Sequence, residues 1–444
     1  MWMMVMVMFA LQLCAVVSTG AVGPATRPVE EAELLVHPPV PGLPADSRHK
    51  LRVNGQEVFV HHVILNPTPN AWGHRGPGAM AMFDFTGKVE VELELDIPVN
   101  AARVRPVSRG VACEVEGRTI RFTLDKPGQF FIEINGSHEY PLFLFANAME
   151  APPPGRDDPR VVYFDAGIHD AGLIELQSGQ TLYLAPGAFV NGTIRVSRAQ
   201  NVTIRGRGIL HGGHYYHHQK AEAGGVQGHM DPPSRHPVMI DDSTNVTIEG
   251  ITILDPFRWA VRPTRASNLL IENIKIVGWR KNSDGIDPCN SQNLVIRDCF
   301  IKTQDDGISI KGTDPTGIPT RNILVERMTI FSNWMRPFVV GGEARGSVME
   351  QITFRDSDII HSGFNPRSQH ARDAAMGVWI VDDGMIRNVT FDGIRVENAH
   401  RLIRVGIVEN QHSDGRPRGH IRDITPRNIT LSEGNLPLAE LTGP

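Results

Sequence analysis

The residues most able to do chemistry lie in NSDGIDPCNSQNLVIRDCFIKTQDDGISIKG, residues 282 to 312. Asp284-Gly285-Ile286 returns 22 residues later as Asp306-Gly307-Ile308, with an extra acid, Asp305, in front of the second copy. Carboxylates brought within a few ångströms of one another raise the pKa of at least one member. A scaffold gains no stability from that crowding. Such a cluster suits a cation such as Ca²⁺, or acid/base chemistry in which one carboxyl is protonated while another is ionised; a solvated acidic patch is the third reading.

Whether the aspartates meet depends on the elements around them. The chain repeats NVTIRGRGIL (from 201), NVTIEGITIL (245), NLLIENIKIV (268), NLVIRDCFIK (293), NILVERMTIF (322), QITFRDSDII (351), NVTFDGIRVE (388) and NITL (428). The template is Asn, alternating apolar residues, a polar or Gly break and a second apolar run, at closest intervals of 23, 25 and 29 residues. That period in short strands and turns predicts a right-handed parallel β-helix, because one coil cannot bury its own apolar face and must stack on others. Leucine-rich repeat spacing is not seen. The leading Asn is expected to form an internal amide ladder, so the sequons at Asn201, Asn245 and Asn388 read as turn positions before glycosylation sites. Equivalent positions one coil apart stack at about 4.7–4.9 Å. Asp284 and Asp306 should therefore lie one above the other, with Asp305 reaching the same patch.

Upstream, residues 47 to 148 carry short alternating runs separated by turns such as Asn54-Gly55 and Asn135-Gly136, the pattern of a small antiparallel β-sandwich. The all-β chain thus divides into an apolar leader at 1–20, a Pro-rich linker at 21–46, the sandwich, and the helix at 158–444. The leader, MWMMVMVMFALQLCAVVSTG, reads as a secretory signal peptide without a charged n-region, cleaved after Gly20; a retained anchor is its alternative. After cleavage the chain is expected outside the cytoplasm, extracellular or periplasmic, and free of the membrane. The formal net charge of −5 gives no sign of a nucleic-acid partner. With Cys14 in the leader, the remaining Cys113, Cys289 and Cys299 show no disulfide framework or zinc spacing, and Cys299 reads as buried core. The four histidines of HGGHYYHHQ (211–219) match no ligand signature and read as a cleft-bordering loop.

NSDGID followed by TQDDGISI resembles the active-site pattern of the polygalacturonase-type glycoside hydrolases, family 28, which are parallel β-helix enzymes. IRGRGILHGGHYY (204–216) is similar to the Gly-rich stretch that precedes their catalytic coils. The resemblance covers about residues 160 to 440. It implies that Asp305 is the general acid that protonates the leaving glycosidic oxygen, while Asp284 and Asp306 activate a water from the opposite side, with inversion. Side chains leaning from neighbouring coils would have to supply the roughly 6.5–9.5 Å between carboxyls that inversion needs. Asp287 reads as structural.

Two family features are missing. NWMRPFVVGGEARGS (333–347) stands where a Gly-His-Gly stretch is expected, and MGVWIVDDG (376–384) where an Arg-Ile-Lys would bind a uronate carboxylate. Arg336, Arg345 and Arg372 are the cations available as substitutes. Trp334, Arg336 and the run RDSDIIHS resemble the dextranase and isopullulanase family 49, whose members share the β-helix and carry an N-terminal sandwich. The resulting expectation is a secreted, monomeric glycoside hydrolase acting on a pectin-like polysaccharide or oligosaccharide without cofactor or metal. Its alternatives are an α-glucan hydrolase, a β-helix lyase using Ca²⁺ and a base such as Arg280, and a non-catalytic carbohydrate-binding solenoid. Substrate contacts are expected from Tyr215, Tyr216, Trp279, Arg280, Asn282, Gln304, Lys311, Trp334 and Arg336. The sandwich is expected to cap the first coil, with carbohydrate binding as its second reading.

Overall fold

The apolar repeat folds as stacked coils. The structure, a computed structural model, describes residues 32–444 except 42, 67–75, 216–229, 315–316, 333, 345, 363–373, 410–412, 414, 434–437 and 443–444. The proposed leader therefore lies outside the described residues. Among those described, the one helical piece is a 3-10 turn at Val107–Arg109, and no helix is long and apolar enough to cross a membrane.

From Val161 onward every strand pairs in parallel with its counterpart one coil away, the arrangement of a right-handed parallel β-helix. Its first face is a 10-stranded sheet running from Val161–Phe164 to His420–Arg427. Here the Asn-led repeats stack in register, with Leu269 on Leu294 and Leu294 on Ile323. Alternate apolar residues turn inward to a single core that includes Val246, Ile248, Leu269, Ile271, Leu294, Ile296 and Cys299. Asn201, Asn245, Asn268, Asn293 and Asn322 all adopt left-handed backbone, with φ between 55° and 59°, which Asn tolerates better than most residues. Their amides form a ladder, Asn245 Nδ2 to Asn201 Oδ1 at 3.0 Å, Asn293 to Asn268 at 3.0 Å and Asn322 to Asn293 at 2.8 Å. The ladder is exposed, not internal. A left-handed turn swings the side chain to solvent and leaves the interior to the apolar residues that follow.

The second face runs through Ile209–His211, Thr252–Leu254, Lys275–Val277, Phe300–Thr303, Thr329–Ser332 and Asp358–Ser362. Its outward residues Phe189, Ile209, Leu254, Val277, Phe300, Phe331 and Ile360 form one buried cluster with Val63, Leu65, Met80, Met82, Phe131, Phe143 and Phe145 of the upstream region. That region is two packed sheets, one containing Gly76–Phe85, Gly128–Ile134 and Ser137–Asn147, the other containing His49–Val53, Val89–Leu95 and Thr119–Leu124. Its pairings are antiparallel except for Ser137–Asn147 on Gly76–Phe85, which is parallel. Gly128–Ile134 is buried at every position, because one side faces the sandwich core and the other faces the helix. The sandwich therefore lies along the flank of several coils rather than over the first coil. The pair of Arg207 with Asp84, in which Nε donates to both carboxylate oxygens (3.1 and 3.0 Å), and the pair of Arg105 with Glu133 (2.8 Å), the Arg105 guanidinium also binding Glu397 and Glu433, place buried charge in that interface.

The third face runs through Val238–Asp241, Val261–Thr264, Ile308–Ile310, Phe338–Gly341, Ala374–Ile380 and Arg401–Ile407. Between the second and third of these strands the coil of Asp284 forms no continuous strand and pairs through bridges at Ile286 and Cys289, with further backbone bonds such as Ala260 to Asp284.

Phe300 is fully buried against Phe143 and Phe145, with ring centroids 5.5 and 5.2 Å away. Phe300→Ala is expected to lower unfolding free energy by about 3–5 kcal/mol, read from the urea midpoint at unchanged m-value.

Candidate active site

The Asp-Gly-Ile copies stack through the bridge of Ile286 with Ile308, and the amide of Gly285 donates to the carbonyl of Asp306. The glycines are required by the closeness of the next coil. A Cβ on Gly285 would stand 2.3 Å from the carbonyl oxygen of Gly307, and one on Gly307 would stand 2.6 Å from that of Pro337. With the backbone this tight, Asp284, Asp305 and Asp306 each present a carboxylate oxygen within 4.8 Å of the other two. The nearest oxygens thus meet at the coil spacing expected for stacked copies, closer than the roughly 6.5–9.5 Å between carboxyls that inversion usually needs.

Two cations offset the acids. The Arg336 guanidinium, one coil further on, donates to both oxygens of Asp306 at 3.0 and 3.3 Å, and its backbone amide adds a bond of 3.2 Å. Lys311 Nζ lies 3.2 Å from Asp284, 3.0 Å from Asp287 and 3.3 Å from Glu343, and 3.4 Å from the centroid of the Trp259 ring. Burial and its acidic neighbours, opposed by Lys311, push Asp284 well above the usual carboxylate range. Burial pushes Asp287 up to about 7 against Lys311. Asp305 is the more accessible of the trio, since Asp284 and Asp306 are only 3% and 6% exposed. Burial and the adjacent Asp306, opposed by Arg336 and Lys311, push it up to about 6. Burial disfavours the Lys311 charge, yet Asp287, Glu343 and Asp284 hold its pKa well above the ordinary value.

The expected contact residues divide. Lys311 and Arg336 join the acids as their counter-charges, and Asn282 reaches Asp305 through its backbone amide (3.3 Å). Gln304 is buried next to Asp305, with neither amide atom hydrogen-bonded. Arg280 is taken up elsewhere: it donates to both oxygens of Asp255 at 2.8 Å and to the carbonyl of Tyr215. Tyr215 is buried edge-on to Phe257, which suits packing better than sugar stacking, and Trp279 and Trp334 are buried as well. Tyr216, Arg345 and Arg372 lie outside the described residues. His211 is held by Asn191 (2.8 Å) and joins no metal-ligating cluster among the described residues.

Against this geometry, residues 174–435 match the model of "Glycosyl hydrolases family 28". The match spans more than half of the chain. The chain belongs to that family.

Within it, the chain is 32% identical over 125 residues to the "Probable polygalacturonase" of Vitis vinifera, covering 27% of this chain and 25% of that protein. The chain spans less than half the length of the curated relatives it matches. Among solved structures it resembles Dex49A from Penicillium minioluteum, with a TM-score of 0.58 and 17% identity over 90% of this chain and 91% of that one. It also resembles the family 28 exopolygalacturonase of Yersinia enterocolitica, with a TM-score of 0.53 and 16% identity over 80% and 86%. These likenesses fix the β-helix fold.

Sequence reasoning on this family 28 chain missed Trp259, Glu343 and the ion pairing of Asp287. The register places Trp259 one coil before Asp284, at the 25-residue interval that also separates Asn268 from Asn293, which was the signal available for it.

Lys311→Met leaves Asp284, Asp287 and Glu343 without their shared cation. The expected loss is about 3 kcal/mol. Without that cation the acids' folded pKa values rise further above their unfolded ones, so the native state takes up protons and the deficit shrinks as pH falls from about 7 towards 4. Urea melts of both proteins at pH 7.5 and 4.5 read this.

Proposed function

We propose that this chain is a secreted glycoside hydrolase that cleaves a pectin-like polysaccharide, polygalacturonate first, by acid/base catalysis at the Asp trio. The observation that carries it is the unequal treatment of the three carboxyls. Asp305 is reachable and pushed up to about 6, which suits a proton donor, while Asp306 takes two guanidinium bonds as a carboxylate acceptor. In this reading the Asp305 proton passes to the glycosidic oxygen as its bond to the anomeric carbon breaks. A water held by Asp306 and Asp284 attacks from the other face and gives its proton to Asp306, with inversion. The nearest oxygens of the trio stand closer than the roughly 6.5–9.5 Å between carboxyls of most inverting pairs, so the anomer of the product is the deciding readout. Asp306, clasped by Arg336, is the carboxylate that takes the proton of the water, Asp284 is anchored by Lys311 and positions that water, and the amide of Asn282 orients Asp305. The bidentate bond of Arg280 to Asp255 leaves that arginine poorly placed as a lyase base. The match to a polygalacturonase supports the pectic choice.

Reducing-sugar release would be measured on polygalacturonate, rhamnogalacturonan, dextran and pullulan, for the parent and Asp305→Asn. Release from a pectic substrate that falls by about 10³ in the variant is expected; release from a glucan alone would move the enzyme to the dextranase-like reading. The kcat/KM of the parent should fall as pH rises through about 6, where Asp305 loses its proton. NMR of the first-formed product should show the inverted anomer, and a retained one would sink the direct attack of water.

A further inference from the structure

The family's Arg-Ile-Lys is absent from this chain, yet unpaired cations stand on the other side of the acids. Trp259, one coil before Asp284, is their hub. Its ring centroid lies 5.9 Å from the guanidinium carbons of both Arg258 and Arg262, 3.4 Å from Lys311 Nζ and 5.2 Å from the ring centroid of His236. Because Lys311 also binds Asp284 at 3.2 Å, this cluster is continuous with the acid trio.

The Nε atoms of Arg258 and Arg262 are buried without a hydrogen-bond partner, as are both ring nitrogens of His236. No ion pair forms to Arg235, Arg258 or Arg262 among the described residues, although Arg265, three residues on from Arg262, binds both oxygens of Asp242. Burial, then Arg235 and Arg262, opposed by Asp284 and Glu343, push Arg258 down to about 10, and burial with the same three arginines lowers His236. Partly desolvated guanidinia that repel one another are unfavourable until an anion arrives, and a planar carboxylate is the anion the guanidinium fork fits best.

We propose that Arg258 and Arg262, on the coil before Asp284, form a subsite that binds the carboxylate of a uronate residue of the substrate. It deepens the hydrolase reading and rests on it for the direction of the substrate chain. Successive coils are spaced at about 4.8 Å, so a saccharide running along the helix axis from the acids meets these arginines within one or two coils. With these arginines supplying the cations, the acidic segment MGVWIVDDG no longer argues against a uronate substrate.

The test compares trigalacturonate with its fully methyl-esterified form, the same sugar with the charge removed. The ratio of kcat/KM for acid over ester is expected to fall at least tenfold in Arg258→Ala/Arg262→Ala, and to be partly kept in Arg258→Lys, which retains the charge without the fork. A thermal melt confirms that each variant folds. An unchanged ratio, or equal losses on both substrates, overturns the subsite. Calorimetric binding of trigalacturonate to Asp305→Asn, with and without the two arginines, separates this proposal from the one it rests on. Arginine-dependent binding by a protein whose turnover survives Asp305→Asn keeps the subsite and rejects the acid assignment. Turnover abolished by Asp305→Asn with arginine-independent binding does the reverse. Binding of a sulfated oligosaccharide but not of trigalacturonate overturns the choice of a carboxylate.

Discussion

Parallel stacking in register puts equivalent residues of successive coils about 4.8 Å apart, and the remaining chemistry of this protein answers to that spacing. On the first face it lines up asparagines whose dipoles bond in a chain. On the third face the same register lines up Asp284 on Asp306, with Asp305 beside them, where stacking is repulsive. The repulsion is tolerated because Arg336 and Lys311 are delivered by the same register from neighbouring strands. Breaking either pair leaves buried charge uncompensated, the expensive case for a buried ion pair.

The distribution of apolar surface decides which face remains for chemistry. Aromatic and aliphatic residues that point outward on the second face would be exposed on an isolated helix, and the sandwich covers them with Phe131, Phe143 and Phe145. The third face carries outward acids, arginines and Trp259 instead. A solenoid with one face sealed and one face charged has a defined side for a long polymer to lie along, parallel to the stack of coils.

The repeat made the β-helix legible in the sequence, because each coil repeats the same apolar alternation and only stacking buries it. The Asp-Gly-Ile pair was legible for the same reason, since a spacing of one coil length is a statement about contact. Other features were harder to see. The asparagine ladder was expected inside and lies outside, because backbone handedness at the turn, not polarity, directs the amide. Arg280 looked like a site residue from its position beside Asn282 and is instead consumed by Asp255. Trp259 and its arginines went unnoticed although Trp259 stands 25 residues before Asp284, the spacing of Asn268 and Asn293, because they carry no repeated motif of their own.

The sequence by itself determined the architecture and the identity of the acids, through periodicity, which is a local property that accumulates along the chain. The tertiary structure decided the charge state of the site. Which carboxyl is reachable, which is clasped by Arg336 and which shares Lys311 with Asp287 and Glu343 depend on side chains separated by roughly one to two coils in sequence. Burial and Coulomb interaction set a pKa through distances in space, and spacing along the chain fixes those distances only where the coils keep strict register.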